Sequence, residues 1–221
     1  MQKPCTAKWT ARLLVLLAFA LASSASFAGT LTVRVVDYRQ QPVPDVAVFI
    51  DSQGVPGAPA DAVMDQRNKR FVPHLLVVER GALVSFPNSD VIAHHVYSFS
   101  RPNDFELPLY KGTPNEPVRF EHEGVVILGC NIHDNMLGYI LVVGTDKFGK
   151  TDERGVVEIP IEDGRVASQV SAWSPRFRDG SEPLVQAIPR GDAPAVTFVL
   201  QKSLRPSHDD DSESVFWNNY D

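Results

Sequence analysis

Short β-type segments separated by turn residues run through most of this 221-residue sequence. The segments are rich in Val, Ile, Phe and Tyr, which favour strands, and Gly, Pro, Asn or Asp often lies between them. No apolar repeat with the period of an α-helix extends beyond about two turns. Ten segments are predicted as strands: 31–36, 46–51, 75–79, 82–86, 95–99, 117–121, 125–129, 138–143, 169–173 and 195–201. The sequence therefore predicts an all-β fold, either a sandwich or an open barrel.

Residues 1–28 have the three regions of a secretory signal peptide. Three cations, Lys3, Lys8 and Arg12, accompany an uncharged apolar run at 13–22. Ser26-Phe27-Ala28 then places small residues where a signal peptidase reads them. We expect cleavage and export to the periplasm, with an uncleaved N-terminal anchor as the alternative. No later stretch is apolar for long enough to cross a bilayer.

Removal of residues 1–28 removes three basic residues and no acidic one. The mature chain then has 18 basic and 27 acidic residues, a net charge of −9. This balance argues against nucleic-acid binding, which needs a basic surface. The segment 204–221 is acidic and polar, so we expect a disordered tail. Its three aromatic residues, Phe216, Trp217 and Tyr220, leave docking onto the body or a partner as the alternative.

Cys130 is the one cysteine that remains after Cys5 leaves with the signal peptide. The mature chain cannot form an internal disulfide, and a lone thiol in an exported protein is open to oxidation and to unwanted pairing. Such a thiol is easier to explain if a ligand occupies it. A buried, inert cysteine is the alternative, since free cysteine is often buried.

The segment around Cys130 concentrates potential metal donors. In GVVILGCNIHDNMLGYILVV (124–143), His133 and Met136 follow Cys130 at steps of three, in a loop between two apolar segments. Thiolate and thioether are soft donors, and imidazole suits copper. Two histidines and one cysteine with a weak axial methionine make a blue-copper set. The second histidine must come from elsewhere, and the candidates are His74, His94, His95, His122 and His208.

Residues 61–144 resemble the cupredoxins, the plastocyanin and amicyanin group. The shared pattern is an F-x-N loop (86–88), a histidine that opens a strand, and a later Cys…His…Met loop. HHVYSFS together with LGCNIHDNM is similar to a plastocyanin-like subfamily of methylamine-utilisation proteins. The resemblance implies a Greek-key β-sandwich or barrel with one copper ion on His94, Cys130, His133 and Met136. It places His94 as the ligand and His95 where the family has a bracing Asn, with His95 as the alternative ligand.

The segments 29–60 and 145–203 resemble the small Ig-like modules known as carboxypeptidase regulatory domains. A strand pair at 31–50 and the TDERG turn that begins at 151 carry this resemblance. It implies a discontinuous Ig-like sandwich, 29–60 plus 145–203, into which a cupredoxin domain, 61–144, is inserted. The alternative is one continuous sandwich with long ends.

The cupredoxin resemblance implies a periplasmic type 1 copper protein that carries electrons and is not an enzyme. His133 would be the electron port, and Leu137 and Pro87 would line an apolar patch where a redox protein docks. Three alternatives stay open: a copper carrier or buffer without a redox partner, a structural exported β-protein with a vestigial site, and a copper enzyme. A cysteine protease and a structural zinc site fit the donor set poorly.

Overall fold

The computed structural model describes residues 29–50, 58–114, 116–133, 135–161, 168–178, 182–191 and 194–206. Regular structure in these residues consists of β-strands, and the all-β prediction is confirmed. The expected signal peptide and most of the expected tail lie outside the described residues. Within them, no helix has the length and apolar character needed to cross a membrane.

The strands of the described residues fall into five sheets. In chain order they are β1 (Gly29–Val36), β2 (Ala47–Ile50), β3 (Ala62–Val63), β4 (Asp65–Arg67), β5 (Arg70–Val72), β6 (Leu75–Glu79), β7 (Leu83–Ser85), β8 (His94–Ser98), β9 (Phe105–Tyr110), β10 (Val118–Arg119), β11 (Gly124–Gly129), β12 (Leu137–Val143), β13 (Phe148–Lys150), β14 (Val156–Ile161), β15 (Gln169–Trp173), β16 (Leu184–Ala187) and β17 (Ala195–Val199). Each of the ten predicted segments overlaps one of them.

Three apolar clusters join four of these sheets. The first sheet has the order β14-β1-β17, the second β13-β2-β15-β16, the third β6-β12-β11-β8-β9 and the fourth β10-β7-β3, while β4 and β5 form a separate hairpin. The first cluster, which includes Leu31 and Phe198, lies between the first and second sheets. The second, which includes Phe120 and Ile140, lies between the third and fourth. A third cluster around Trp173 joins the second sheet to the third.

The two-residue period of β-strands produces this layering. In β2, Val48 and Ile50 face the first cluster, whereas Ala47 and Phe49 face the third. Successive side chains of a strand point to opposite faces, so one short strand contributes to both cores. The second sheet is therefore apolar on both faces along β2.

Strand β12 is a continuous apolar run because both of its faces are covered. Ile140 and Val142 belong to the second cluster, and Leu141 and Val143 belong to the third. Its neighbour β6 runs parallel to it, with Tyr139 opposite Leu75. Strands that are buried on both faces lose the alternation of apolar and polar residues. The strands toward the other edge of the same sheet, β11, β8 and β9, position the residues of the site described below.

The strands of the described residues fall into two groups along the chain. Strands β3 to β12 contribute to the third and fourth sheets and to the hairpin, whereas β1, β2 and β13 to β17 contribute to the first and second. The chain leaves the first pair of sheets after β2 and returns at β13. The inserted cupredoxin domain, its boundaries near 61 and 144, and the Ig-like character of the flanking part stay predictions.

Candidate metal centre

Three potential metal donors meet at one end of the third sheet. Strand β11 ends at Gly129, which lies opposite Tyr97 of β8 on one side and Leu137 of β12 on the other. Because β8 and β11 are antiparallel, the start of β8, His94, lies beside the loop that follows β11. That loop contains Cys130 and His133. The sheet register thus brings together residues that are 36 positions apart in the sequence.

The ligand atoms of this group all lie within 4.8 Å of one another. Cys130 Sγ is 3.9 Å from His94 Nδ1 and 3.8 Å from His133 Nδ1. The two imidazole rings are 4.9 Å apart, centroid to centroid. His94 is fully buried and Cys130 is 5% exposed, whereas His133 is half-buried. Within the described residues this is the group of His, Cys, Asp and Glu side chains that could hold a metal ion.

The spacing of the donor atoms is close to that of three ligands on one ion. Bonds of about 2.3 Å to sulfur and about 2.0 Å to nitrogen, as in zinc sites, separate the two donors by about 3.5 Å at a tetrahedral angle and by about 3.7 Å at 120°. The observed separations of 3.9 and 3.8 Å are slightly longer than both values and do not decide between the two geometries. Two histidines and one cysteine are also the equatorial donor set of a blue-copper site. The three residues therefore have the donor chemistry and the approximate spacing of such a site.

Met136 lies at the inner end of the same loop. Its side chain is 2% exposed and belongs to the second apolar cluster together with Cys130. Its backbone N–H donates to the His133 carbonyl at 2.9 Å, and the next N–H, of Leu137, donates to the Asn135 carbonyl. These two bonds close the loop just before β12 begins. The fourth predicted donor is thus buried, in the same apolar cluster as Cys130.

Asp90 fixes the orientation of His94, a role that sequence reasoning missed. Its Oδ2 lies 2.7 Å from His94 Nε2, on the side of the ring away from Cys130. A carboxylate in that place holds the proton on Nε2 and leaves Nδ1 with a free lone pair toward the cysteine. The signal in the sequence was only an Asp four residues before the histidine, which is weak without the loop geometry.

The turn between β4 and β5 holds Asp90 in place. The backbone N–H groups of Asn68 and Lys69 donate to its two carboxylate oxygens, each at 2.8 Å. Burial alone would raise the pKa of Asp90, but the hydrogen bonds from Lys69, His94 and Asn68 outweigh it and lower that pKa. Asp90 therefore stays ionised while it is enclosed.

His95 faces a different group from His94. Its Nε2 lies 2.9 Å from Glu106 Oε1 on the neighbouring strand β9. His95 is 8% exposed, and its Nδ1 is buried without a hydrogen-bond partner among the described residues. Adjacent residues of a strand point in opposite directions, which explains how one histidine reaches the cysteine and the next does not.

The other histidines lie elsewhere. The ring of His74 packs edge-on against Tyr139 at 5.3 Å. His122 is exposed, and its backbone N–H and carbonyl bond the side chain of Asn103. His208 lies outside the described residues. None of the described histidines other than His94 and His133 belongs to the donor group.

A buried polar network supports the loop that leads to His94. Tyr110 lies opposite His94 in the sheet, and its hydroxyl donates to the Phe86 carbonyl at 2.6 Å. The Gln66 amide donates to the Tyr110 oxygen and to the Pro87 carbonyl. Burial is the main cause that raises the pKa of Tyr110 to about 12. The phenol stays protonated and braces the F-x-N loop.

The environment of His133 favours a neutral imidazole. Burial is the first cause that lowers its pKa, and electrostatic interactions with His94 and Lys69 lower it further, against the effect of Asp90. A neutral imidazole is the form that binds a metal. Lys69 is thus close enough to act electrostatically on the more accessible of the two histidines.

No protein-family model and no curated protein matches this sequence. Several solved structures resemble part of it. A novel purple cupredoxin from Nitrosopumilus maritimus is 22% identical over 38% of this chain and 99% of its own, with a TM-score of 0.33. A reduced Cu(I) form of an amicyanin mutant is 21% identical over 43% of this chain and 98% of its own, with a TM-score of 0.34. A pseudoazurin from Sinorhizobium meliltoi is 21% identical over 38% of this chain and 74% of its own, with a TM-score of 0.30. Such low TM-scores carry no conclusion about this chain, so its function has to be inferred from its own residues.

Proposed function

We propose that this chain is an exported copper protein of the cupredoxin type that passes single electrons in the periplasm. His94, Cys130, His133 and Met136 would hold one copper ion. One observation carries the proposal: a buried thiol and two imidazoles place their ligand atoms within 4.8 Å of one another, close enough for one ion to contact all three. The position of Met136 in the same core supports the fourth ligand.

A copper ion in this place would supply a one-electron couple between Cu(II) and Cu(I). The residues of the chain prepare the site for it. Cys130 offers its sulfur from a buried position where water is excluded. Asp90 fixes the tautomer of His94 before any metal arrives. Because sheet strands hold both ends of each ligand loop, the donors have little freedom to rearrange when the charge of the ion changes.

His133 is the ligand that reaches the surface. It is half-buried, whereas His94 is 0% exposed. Two apolar residues near it in the sequence are open to solvent: Ile132, at 53%, in the same loop, and Leu137, at 37%, at the start of β12. Exposed apolar side chains close to one accessible imidazole suit brief contact with a redox protein through a small interface. This supports His133 as the electron port and Leu137 as part of the docking patch.

The visible spectrum of the copper-loaded protein tests the proposal. Addition of one equivalent of Cu(II) to the metal-free protein should give an intense absorption from the bound thiolate. Cys130→Ser and His94→Ala should lose it, whereas His95→Ala, the matched control at the neighbouring position, should keep it. Circular dichroism checks that each variant is folded. A colourless wild type, or equal loss in His95→Ala and His94→Ala, would show that the ligand assignment is wrong.

Redox cycling separates electron transfer from copper delivery. A carrier of electrons should be reduced and reoxidised repeatedly with its copper retained in the presence of a Cu(I) chelator. Rapid loss of Cu(I) to the chelator would favour a copper carrier or buffer instead. A change of the spectrum on addition of azide would indicate an open coordination position and favour an enzyme.

A further inference from the structure

An apolar groove lies between the outer strands of the first and second sheets, away from the candidate metal centre. Strand β17 is the outer strand of the first sheet, and β16 is the outer strand of the second. The Gln186 amide of β16 donates to the Thr197 carbonyl of β17 at 3.2 Å, so the two strands lie side by side. A groove of about 230 Å³ lies at this edge. We call it the edge groove and define it by its apolar lining: Phe177, Leu184, Val199, Leu200 and Leu204.

The edge groove is continuous with the core. Phe177 and Leu200 are 7% and 5% exposed and belong to the first cluster, and Leu204 packs against that cluster. The other two residues are more open, Leu184 at 41% and Val199 at 38%. A closed apolar cavity of about 150 Å³ is already large enough to bind benzene. The edge groove is therefore large and apolar enough to take one aromatic side chain.

The last described part of the chain, 200–206, runs along the edge groove and is fixed there. The Arg205 N–H donates to the Arg176 carbonyl at 2.8 Å, and Arg176 Nε donates to the Arg205 carbonyl at 3.1 Å. Leu204, the residue just before this pair of bonds, is part of the groove itself. The segment that follows Pro206 in the sequence therefore starts beside the groove.

That segment, 207–221, ends in aromatic residues. Phe216, Trp217 and Tyr220 lie within the last six positions of the chain. Nine residues separate Pro206 from Phe216, and a stretch of this length spans at most about 35 Å. A segment joined so closely to its binding site has an effective concentration in the millimolar range, so even a weak contact is populated.

The charges beside the groove suit this segment. It has no Lys or Arg and five acidic side chains: Asp209, Asp210, Asp211, Glu213 and Asp221. Three arginines, Arg176, Arg178 and Arg205, lie at the end of the groove where the segment begins. The hydrogen bonds of Arg176 and Arg178 go to the Arg205 carbonyl and to Ser203, which are neutral acceptors. None of the three arginines forms an ion pair within the part of the chain that the structure describes.

Acidic groups reduce this charge without cancelling it. Glu182 lines the groove, and Asp37 follows Val36, whose carbonyl accepts from the Leu200 N–H. Lys202 also lines the groove but already has an interaction of its own, so we do not count it. Asp179 lies outside the described residues. The remaining positive charge is modest, so we expect it to orient the acidic stretch and apolar contact to supply most of the binding.

We propose that the edge groove binds the C-terminal segment of this same chain, with the Trp217 indole in the groove and the acidic stretch 209–213 along the three arginines. Tryptophan buries a large apolar area, which suits a groove of this size. The bound segment covers Leu184 and Val199, apolar residues at the outer strands of two sheets, where unprotected edges invite pairing with other chains. The inference goes beyond the proposed copper function and does not rest on it.

Fluorescence quenching by acrylamide, a neutral quencher, tests the inference on the chain that begins at residue 29. This chain has two tryptophans, Trp173 and Trp217. Because Trp173 is 2% exposed, quenching reports mainly on Trp217. Trp217 of the wild type should be quenched about three-fold more slowly than in Leu184→Gln, which corresponds to a groove that is occupied about two-thirds of the time. Circular dichroism checks that the variants are folded, and all are compared in the same metal state.

Val185→Gln is the matched control on the same strand. Leu184 lies opposite Ala172, a residue of the first cluster, whereas Val185 lies opposite Ser171 and so faces the other side of the sheet. Val185→Gln should be quenched as slowly as the wild type. Val199→Gln changes the groove from the other sheet and should behave like Leu184→Gln, so a folding defect in one groove variant leaves the other informative.

Three results would overturn the inference. The first is a wild type whose Trp217 is quenched as fast as in both groove variants. The second is an equal gain in quenching for Leu184→Gln and Val185→Gln, which would point to a general disturbance of β16. The third is protection that increases with protein concentration, which would mean that the groove receives a segment of a second copy. Each of these results leaves the proposed copper function intact, because none of them measures the metal centre.

Discussion

The Asp90 carboxylate accepts from three N–H groups at once, two from the turn at 68–69 and one from His94. Asp90→Asn would turn an amide N–H₂ toward at least one of these donors and remove the negative charge beside His94, so the support for its Nε2–H tautomer would weaken. We expect copper affinity to fall by about 10- to 100-fold, the usual effect of removing such a partner. Competition with a chelator of known affinity measures it.

Glu106→Gln is the matched control for this prediction. It changes the carboxylate that contacts His95, on the opposite side of the same strand. Copper affinity should stay within about two-fold of the wild type, since His95 is not in the donor group. Equal losses in the two variants would mean that the effect comes from general loosening of β8 and not from the orientation of His94.

Asp65 gives a pH-dependent prediction in the neighbouring loop. Burial opposes its ionisation, but hydrogen bonds from Arg67, Ser89 and the Gln66 N–H hold its pKa below the ordinary 3.8. A carboxylate with a lowered pKa stabilises the fold above its unfolded pKa and loses that effect as the pH falls through its folded pKa. Asp65→Asn should cost about 1–3 kcal/mol at pH 7. The difference from wild type should shrink below about pH 4 in urea titrations, and a gap that persisted at lower pH would contradict this account.

The ligand loop could be predicted from the sequence, whereas its supports could not. Cys130, His133 and Met136 lie within seven residues, so their spacing alone suggests a common target. The role of Asp90 depends on a turn more than 20 residues earlier, which only the folded register brings beside it. The choice between His94 and His95 likewise depends on which face of β8 meets the loop after β11. The alternation of a strand shows that the two side chains point to opposite faces, but it does not show which face that is.

At the scale of elements, strand β12 is packed so closely by β5 that it needs a glycine. A Cβ at Gly138 would lie 2.7 Å from Phe71 Cβ and 3.0 Å from its ring, and Phe71 is 1% exposed. The base of a buried side chain cannot move aside without moving its own strand. We therefore expect Gly138→Ala to lower the free energy of unfolding by about 1–3 kcal/mol, as overpacked core substitutions do.

Gly129→Ala is the comparison on the adjacent strand. A Cβ there would also be crowded, at 2.8 Å, but by the outer end of the Tyr97 ring, which is half-buried. That ring can swing outward, so the loss should be smaller than at Gly138. Urea unfolding of both variants checks the order, and the reverse order would show that Tyr97 is the more firmly held side chain.

The strands that sequence reasoning missed share a physical cause. Strands β3, β4, β5 and β13 have two or three residues each, too few to show a period. Strands β9 and β14 contain Pro108 and Pro160, and all four residues of β16 are exposed, so these three lack the clear apolar alternation that predicts a strand. These strands are defined by their partners: β4 and β5 pair with each other, β9 pairs with β8 and β16 pairs with β15. A local sequence pattern does not contain such pairing.

At the scale of the whole molecule, we expect Trp173 to couple the unfolding of two parts. One half consists of the first and second sheets, and the other half consists of the third and fourth sheets. Its side chain is 2% exposed and packs in the third cluster with Leu75, Leu141 and Val143 of the third sheet, although it belongs to the second. Its ring also lies 6.1 Å from that of Tyr139, edge to face. Removal of a buried tryptophan costs about 3–5 kcal/mol. Here most of that loss would fall on the contact between the halves.

We expect wild-type protein to unfold in a single transition that bound copper shifts as a whole, since a ligand stabilises everything that unfolds with its site. In Trp173→Ala, copper should shift only the transition of the half that contains the donor group, and the other half should unfold separately. Circular dichroism reports both halves, and the copper absorption reports one. Phe198→Ala removes a comparably buried aromatic residue from the first cluster alone, so it should lower stability but keep a common transition. If Trp173→Ala also unfolded in one copper-shifted step, the coupling would have to reside in other contacts across the third cluster, such as the Lys150 ammonium on the Leu75 carbonyl.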